Sequence, residues 1–431
     1  TWLIAVVTSN ETADPLAEAR RRLHQAADIG MSGLVEENAD YFQRLYDRRE
    51  KGRIFSADPE IERKTVLEIF RSWTDQHEKI TAPDPTLYEA DAKYGYLEQD
   101  WAPWHGLPCY NELYFTTAQV QNRADRMSYY YKLVPLWSAA ARLNAREVFG
   151  LPGAVIQHGY LPPVKPDTYA HTHSTWDFCM EIPAQVLKVL WDRFDYRGDE
   201  AFLAEVAYPA MREVAVFYSH YAEIGEDGRY HVIPTVSAEY WNWRPQFEKN
   251  RDSTSALGMF RGLISRKADA SEILNRDADL RQHWREIADL MAAYPTFETP
   301  EGPIYTDVRG ANPIGEGYNF FAGYTLTTLA DEINLDSSPD DREMMLRTTN
   351  LVTGWNEHGV LELLGESKGL NPEQLLNSRS GRIHLFPGVP EDAVVAFRDF
   401  QARGGFLVSA QYEGGAVDHV TIAARRSVPC R

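Results

Sequence analysis

Apolar positions recur at helical spacing through most of this chain. Over 13–30, Leu16, Ala19, Leu23, Ala26 and Ala27 share one face of a 3.6-residue period. Over 34–49, Val35, Tyr41, Phe42, Leu45 and Tyr46 do the same, and a third such stretch runs from about 59 to 76. From Thr116 onward the pattern predicts helices over 117–148, 174–195, 200–223, 254–268, 271–293, 319–333 and 340–353. Gly198-Asp199 supplies a helix stop followed by an N-cap. The period changes at the ends. Thr1-Trp2-Leu3-Ile4-Ala5-Val6-Val7 is a continuous apolar run that predicts a buried strand. Phe406–Ala410 and Val417–Ile422 predict two further strands, joined by a turn at Glu413-Gly414-Gly415. Segments 80–114, 150–173, 225–252 and 295–318 are long and rich in Gly, Pro, Asn and aromatic residues. Loops that long inside a compact domain commonly carry function.

Many antiparallel helices with strands at the ends predict a mainly α architecture. A toroid of helical hairpins flanked by β-structure fits, its pocket formed by loops at one end; a bundle with long crossovers is the structural alternative. The expected division is the end of an N-terminal β region over 1–10, a helical catalytic domain over 11–400, and a β-rich segment over 401–431.

Composition narrows the function. The 431 residues are 44% hydrophobic, enough for a large core, and no run approaches the eighteen apolar residues of a membrane span. A formal net charge of −19 argues against a nucleic-acid partner, whose phosphates reward a basic face. Cys109, Cys179 and Cys430 are far apart and lack metal or disulfide-framework spacing, and no cofactor is expected. The 11 Trp and 23 Tyr suit carbohydrate, because sugar rings present apolar C–H faces to flat aromatic ones. Phosphate-cradling glycine loops, nucleophile elbows and His-Glu-x-x-His are absent, which removes kinase, serine hydrolase and zincin readings.

With 63 acidic residues, the informative carboxylates are those set among apolar or aromatic neighbours, where a raised pKa suits a general acid. Glu239 stands in Ile233-Pro234-Thr235-Val236-Ser237-Ala238-Glu239-Tyr240-Trp241-Asn242-Trp243. Glu362 and Glu366 lie in Val360-Leu361-Glu362-Leu363-Leu364-Gly365-Glu366, with His358 just upstream. Trp104, His105, Asn111, Thr117, Gln119 and Asn122 form a polar and aromatic group suited to sugar hydroxyls. His173 and Trp176 form another; the alternating His171 and His173 lack partners of metal-ligand spacing, so no metal site is assigned. Trp104, Trp176, Trp241 and Trp243 are candidate stacking surfaces. For each acid the competing reading is a solvated or backbone-bonded side chain. For each amide it is a satisfied interior bond.

Several segments together resemble the catalytic region of glycoside hydrolase family 95, the inverting alpha-L-fucosidase type, or a divergent relative. They are Leu375-Leu376-Asn377-Ser378, then Ile383-His384-Leu385-Phe386-Pro387-Gly388-Val389-Pro390, then Ala402-Arg403-Gly404-Gly405-Phe406. Tyr196-Arg197-Gly198-Asp199-Glu200-Ala201-Phe202-Leu203 and Pro234-Thr235-Val236-Ser237-Ala238-Glu239 add to them. The resemblance implies an (α/α)6 toroid, β-structure at both ends and inverting hydrolysis, with Glu239 as acid and Glu362 at the position of the base. Thr117 and Gln119 stand where the family has asparagines, and its IDGNFG segment does not occur.

The expected activity is therefore hydrolysis of a plant, algal or microbial oligo- or polysaccharide by a secreted or periplasmic enzyme. The two carboxyl groups should stand about 6.5–9.5 Å apart, leaving room for water. A polysaccharide lyase on the same toroid, using Tyr and His, and a non-catalytic glycan-binding protein are the alternatives.

Overall fold

The structure, a computed structural model, describes residues 2–7, 12–47, 52–61, 63–64, 119–122, 128–156, 178–237, 244–314, 322–352 and 357–430. The opening helical run α1 (Pro15–Asp47) breaks at Gly30, whose φ of 71° and ψ of 168° leave the helical region. It is thus two helices meeting at a residue without a Cβ, as the two apolar stripes require. Residues 2–7 do not form the predicted strand: they have no ladder partner, and Trp2, Ile4 and Val6 are exposed. A strand needs a neighbour for its backbone groups, and none of the described strands offers one there.

Helix α2 (Ser128–Phe149) begins later than predicted, because Gln121-Asn122 turns the chain before it. Next come α3 (Ile182–Arg197), α4 (Glu200–Phe202), a π turn (Leu203–Ala207) and α5 (Tyr208–Tyr221). Asp199 caps the start of α4, its carboxylate accepting from the Phe202 amide, and Gly198 ends α3 at φ 70°. Helix α6 (Thr254–Ile273) and helix α7 (Ala278–Asp289) are separated by Asn275 and Asp277, both left-handed. The remaining helices are α8 (Ala322–Tyr324) with its π turn (Thr325–Leu329), α9 (Pro339–Leu351), α10 (Glu357–Leu363) and α11 (Pro372–Leu375).

Hydrogen bonds fix the direction of these helices. At one end, the Val236 amide donates to Phe178 just before α3, and the Thr254 amide opening α6 donates to the Asp307 carbonyl. At the other end, Lys188 of α3, Arg266 of α6 and Asp331 beyond α8 meet. So α3, α6 and α8 run the same way. Helix α5 returns between them: its late residue Tyr218 donates to the Met180 carbonyl at the start of α3. Helix α9 also returns, since Thr348 near its end receives the Tyr305 amide. The forward helices α3 and α6 are buried nearly throughout, whereas α7 and α9 each bury only one stripe. That alternation of inner and outer helices is the packing logic of helical hairpins closing around a shared core.

Short strands decorate the loops. Strand β1 (Arg53–Ser56) belongs to the C-terminal sheet, while β2 (Glu223–Ile224) pairs with β3 (Tyr230–His231) and β4 (Thr296–Thr299) with β5 (Gly302–Tyr305). Strand β6 (Leu376–Asn377) pairs with β7 (His384–Leu385). Then β8 (Val395–Ala402), β9 (Phe406–Glu413) and β10 (Ala416–Ala424) form an antiparallel sheet in the order β1-β8-β9-β10. The Glu413-Gly414-Gly415 turn is where the pattern placed it, with both glycines at positive φ. The β-structure starts at Val395, ahead of the expected boundary at 401.

The sheet has its own core, including Phe397, Phe400, Val408 and Leu375, distinct from the helical one. Between the two lies an ionic joint. Asp331, its backbone left-handed at φ 61°, accepts from Arg266 and Arg403 at 2.8 Å each and from Arg379. Lys188 pairs with Asp192 and reaches Asp331 at 3.5 Å, while Arg379 also reaches Glu373 at 3.2 Å. Burial alone would raise Asp331, but Arg403, Lys188, Arg379 and Arg266 outweigh it and hold the carboxyl well below its usual range. Glu373 goes the other way: burial raises it despite Arg379 and Arg403.

Candidate active site at the helix rim

The rim is the end where the inner helices begin, and it is built from backbone constraints. Segment 235–237, which leads into Glu239, is pinned by the Val236 amide to the Phe178 carbonyl at 2.9 Å and by the Thr235 amide to the Asn250 carbonyl at 2.9 Å. On the far side of the loop, the Arg244 amide donates to the Asn250 side chain at 2.8 Å. Asn250 therefore ties both flanks of the Glu239 loop to one place. Two residues on, Asp252 accepts from the Val232 amide at 2.9 Å, and Ser253 caps α6 by accepting from the Ala256 amide. Thr254 then binds the next loop twice, its amide to the Asp307 carbonyl at 2.8 Å and its hydroxyl to the Thr306 carbonyl at 2.6 Å. Around the rim the order is thus the start of α3, segment 235–237 with Arg244, the start of α6, and the segment after β5.

Three carboxylates are buried in this ring of loops: Glu181, 1% exposed, immediately before α3, Asp252, 5% exposed, just before α6, and Asp307, 3% exposed, beside the start of α6. The sequence reading passed over all three. Asp307 sits in Tyr305-Thr306-Asp307-Val308, an acid between apolar and aromatic neighbours, and that local signal could have singled it out. Beside the rim, a cavity of about 550 Å³ opens under the β2–β3 hairpin, with His231, Arg251, Asp252 and Arg309 among its lining residues. His231 Nδ1 faces Asp252 at 2.7 Å and Nε2 faces Asp227 at 3.1 Å. Burial lowers its pKa, and the two carboxylates more than restore it, so the ring is held above the ordinary histidine value.

Most predicted site residues lie outside the described residues: Glu239, Trp104, His105, Asn111, Thr117, His173, Trp176, Trp241 and Trp243. His358 lies in the first turn of α10, at the rim end of that helix; its side chain lies outside the description.

The structure places the others away from the rim. Gln119 is buried, its amide donating to the Tyr131 hydroxyl at 3.1 Å, and Val120 beside it belongs to the sheet core. Asn122 is the left-handed residue that closes this turn, at φ 56°, and its amide donates to the Gln119 carbonyl at 3.0 Å. The Gln119 side chain thus meets an interior phenol and the Asn122 backbone an interior carbonyl, while the Asn122 side chain lies beside Gln401 of β8. Glu362 sits about 8 Å down the α10 axis from Glu357, at a rise of about 1.5 Å per residue. It accepts from the Asn371 amide at 2.6 Å. Glu366 is exposed and receives Arg342 at 3.2 Å, and Arg342 also donates to the Leu364 carbonyl. Both glutamates thus serve the end of α10 where α9 begins.

Among the described residues, no group of His, Cys, Asp and Glu could hold a metal ion, and no helix is long and apolar enough to cross a membrane. Among the described residues neither Cys179 nor Cys430 is in a disulfide, and Cys109 lies outside the described residues.

Comparison with known proteins agrees with this architecture. Over 96% of its length the chain superposes on 72% of a solved structure titled "Putative kojibiose phosphorylase from human microbiome", with a TM-score of 0.55 at 11% identity. That likeness is one of fold. No curated protein matches the sequence. Residues 110–300 match the Glycosyl hydrolase family 95 catalytic domain, a stretch that contains Glu239 and its anchors and ends before Asp307 and Glu362. The chain thus has a mainly helical fold, and under half of it, residues 110–300, is similar to the glycosyl hydrolase family 95 catalytic domain, as in a divergent relative of that family.

Proposed function

We infer that the chain is a glycoside hydrolase acting on an oligo- or polysaccharide of plant, algal or microbial origin, with an inverting mechanism and Glu239 as its general acid. The observation that supports it is the position of the two described segments on either side of residues 238–243. Both are fastened to Asn250, between the starts of two buried parallel helices, within the stretch that matches family 95. Flanks fastened beside buried helix starts are the kind of support that a positioned proton donor needs. In this reading the helices close into a full (α/α)6 toroid, and Trp241 and Trp243 of the same loop stack on the sugar. The enzyme is secreted or periplasmic, where such polymers are found.

Glu239 protonates the departing oxygen while water attacks the anomeric carbon from the opposite face. An oligosaccharide panel tests this with wild type and Glu239→Gln, read by reducing ends and ultraviolet absorbance together. Hydrolysis gives new reducing ends without absorbance, and the Gln variant should lose about 10²–10⁴-fold in turnover. Absorbance from a new double bond would identify a lyase. Binding with no turnover would identify a glycan-binding protein.

A further inference from the structure

We propose that the cavity under the β2–β3 hairpin is an outer glycan subsite, which holds neutral sugar units of a chain that is cut at the rim. This rests on the hydrolase reading above and deepens it by naming a second place where the substrate is held. The cavity measures about 550 Å³. Small-molecule sites span about 300–1,000 Å³.

Its base is a closed network formed by the least exposed of its charged residues, Asp252 and His231. His231 Nδ1 faces Asp252 at 2.7 Å, and Nε2 faces Asp227 at 3.1 Å. Asp252 also accepts from the Val232 amide at 2.9 Å, and Asp227 from the Arg229 amide at 3.1 Å. A Cβ at Gly225 would come to 2.8 Å from the His231 ring, so the hairpin backbone lies directly against it. These groups are spent on one another, which fixes the base and leaves the walls to recognise a ligand.

The walls are not spent. Glu223 and Glu226 line the hairpin side and make no hydrogen bond or ion pair among the described residues. On the α6 side the Arg309 guanidinium makes none either, and Arg251 has only Asp252, at 3.7 Å. Acceptors thus stand on one wall and donors on the other. An anion would meet Glu223 and Glu226, and a cation would meet two guanidinium groups. A hydroxyl suits both walls, because it donates to a carboxylate and accepts from a guanidinium. Ile224, 59% exposed, and Ile233 add apolar surface for the C–H faces of the same ligand.

The cavity is continuous with the rim. Arg251 stands two residues before Ser253, the cap of α6, and Arg309 two residues after Asp307, whose carbonyl receives the Thr254 amide at 2.8 Å. The bonds that build the rim there also position the arginine wall. A glycan that crosses the start of α6 therefore occupies both places, and two linked contacts bind more tightly than either alone.

Malto-, cello- and xylo-oligosaccharides of two to six units, with oligogalacturonides of the same lengths, test this in calorimetric titrations. For any member that is cleaved, KM is compared in place of Kd. Wild type should bind one neutral series more tightly as it lengthens. Arg309→Ala and Glu226→Gln should each weaken the six-unit member about 10–100-fold, leaving the two-unit member and the Tm unchanged. Phenylglyoxal labelling read by mass spectrometry locates the contact: the six-unit member should protect Arg251 and Arg309, and not Arg285 on α7, whose side chain is 46% exposed. Affinity independent of length, unchanged affinity in both variants, tighter binding of the oligogalacturonides, or no binding by any member overturns the proposal. Cleavage with unchanged affinity in the variants does so while leaving the hydrolase reading standing. Binding with protection and no cleavage sinks the hydrolase reading and leaves the cavity as a glycan site.

Discussion

Two buried side chains show opposite uses of low dielectric. Asp331 stays charged because four cations, Lys188, Arg266, Arg379 and Arg403, surround it. Asp331→Asn should destabilise the protein by about 3–5 kcal/mol, since those cations remain enclosed with less compensation. Chemical denaturation measures it; a loss under about 1 kcal/mol would mean that the remaining acids suffice. Lys267 is the reverse case. Its side chain is fully enclosed, with the amine over the Tyr208 ring and 4.9 Å from that of Trp284. Burial is the main cause of a pKa lowered to about 6, Arg212 and Arg276 adding to it against Asp277. Between pH 6 and the ordinary lysine range the unfolded chain binds a proton that the folded one does not, so stability rises with pH. Lys267→Met should remove that slope and stabilise the protein more at pH 7 than at pH 10, read as Tm at the two values.

At the scale of elements, the His231 bridge ties the β2–β3 hairpin to the approach of α6. Both ring nitrogens face carboxylates, Asp252 and Asp227, so the bridge is complete only when both carry protons. Arg251 stands 3.7 Å from Asp252, while Glu223, Glu226 and Arg309 share the cavity. Because the folded pKa is raised, the bridge contributes fully below the ordinary histidine value, and its contribution is lost as pH rises through the folded one. The Tm difference between wild type and His231→Asn should therefore be larger at pH 5.5 than at pH 8.5; an equal difference at both would show that the proton is not shared in this way.

The elements themselves were legible where local chemistry decided them. Gly198-Asp199 gave a stop and a cap, and Glu413-Gly414-Gly415 a hairpin turn. The apolar opening segment misled because an apolar run states a wish for burial and not the partner that grants it. The merged stretch 117–148 misled because Asn122 can adopt the left-handed turn that apolar periodicity does not register.

For the whole molecule, two hydrophobic cores are joined largely through the ionic cluster around Asp331, to which the C-terminal part contributes. The bonds of Arg379 and Arg403 to Asp331 link the sheet to the helices. The mainly helical class was readable because periodicity is local. The site was less so, because which carboxylates meet depends on the direction of each helix. Glu362 and Glu366 look like Glu239 in sequence, acids among apolar neighbours, yet they serve the end of α10 beside the start of α9. Asp307 gained its place only through the bonds Thr254 makes to its loop. Unfolding should reflect the coupling: wild type should lose both cores in one transition, and Arg403→Met should split it, with amides of β8 and β9 exchanging hydrogen before those of α6. A single unsplit transition in that variant would place the coupling elsewhere.

The claim on which the account depends is that Glu239 delivers a proton to a glycosidic oxygen at this rim. Proton NMR of the first product released from an oligosaccharide, followed in wild type and Glu239→Gln, tests it most directly. The account predicts a sugar of inverted anomeric configuration from wild type and about 10²–10⁴-fold slower release from the variant. Release at the wild-type rate from Glu239→Gln would contradict it.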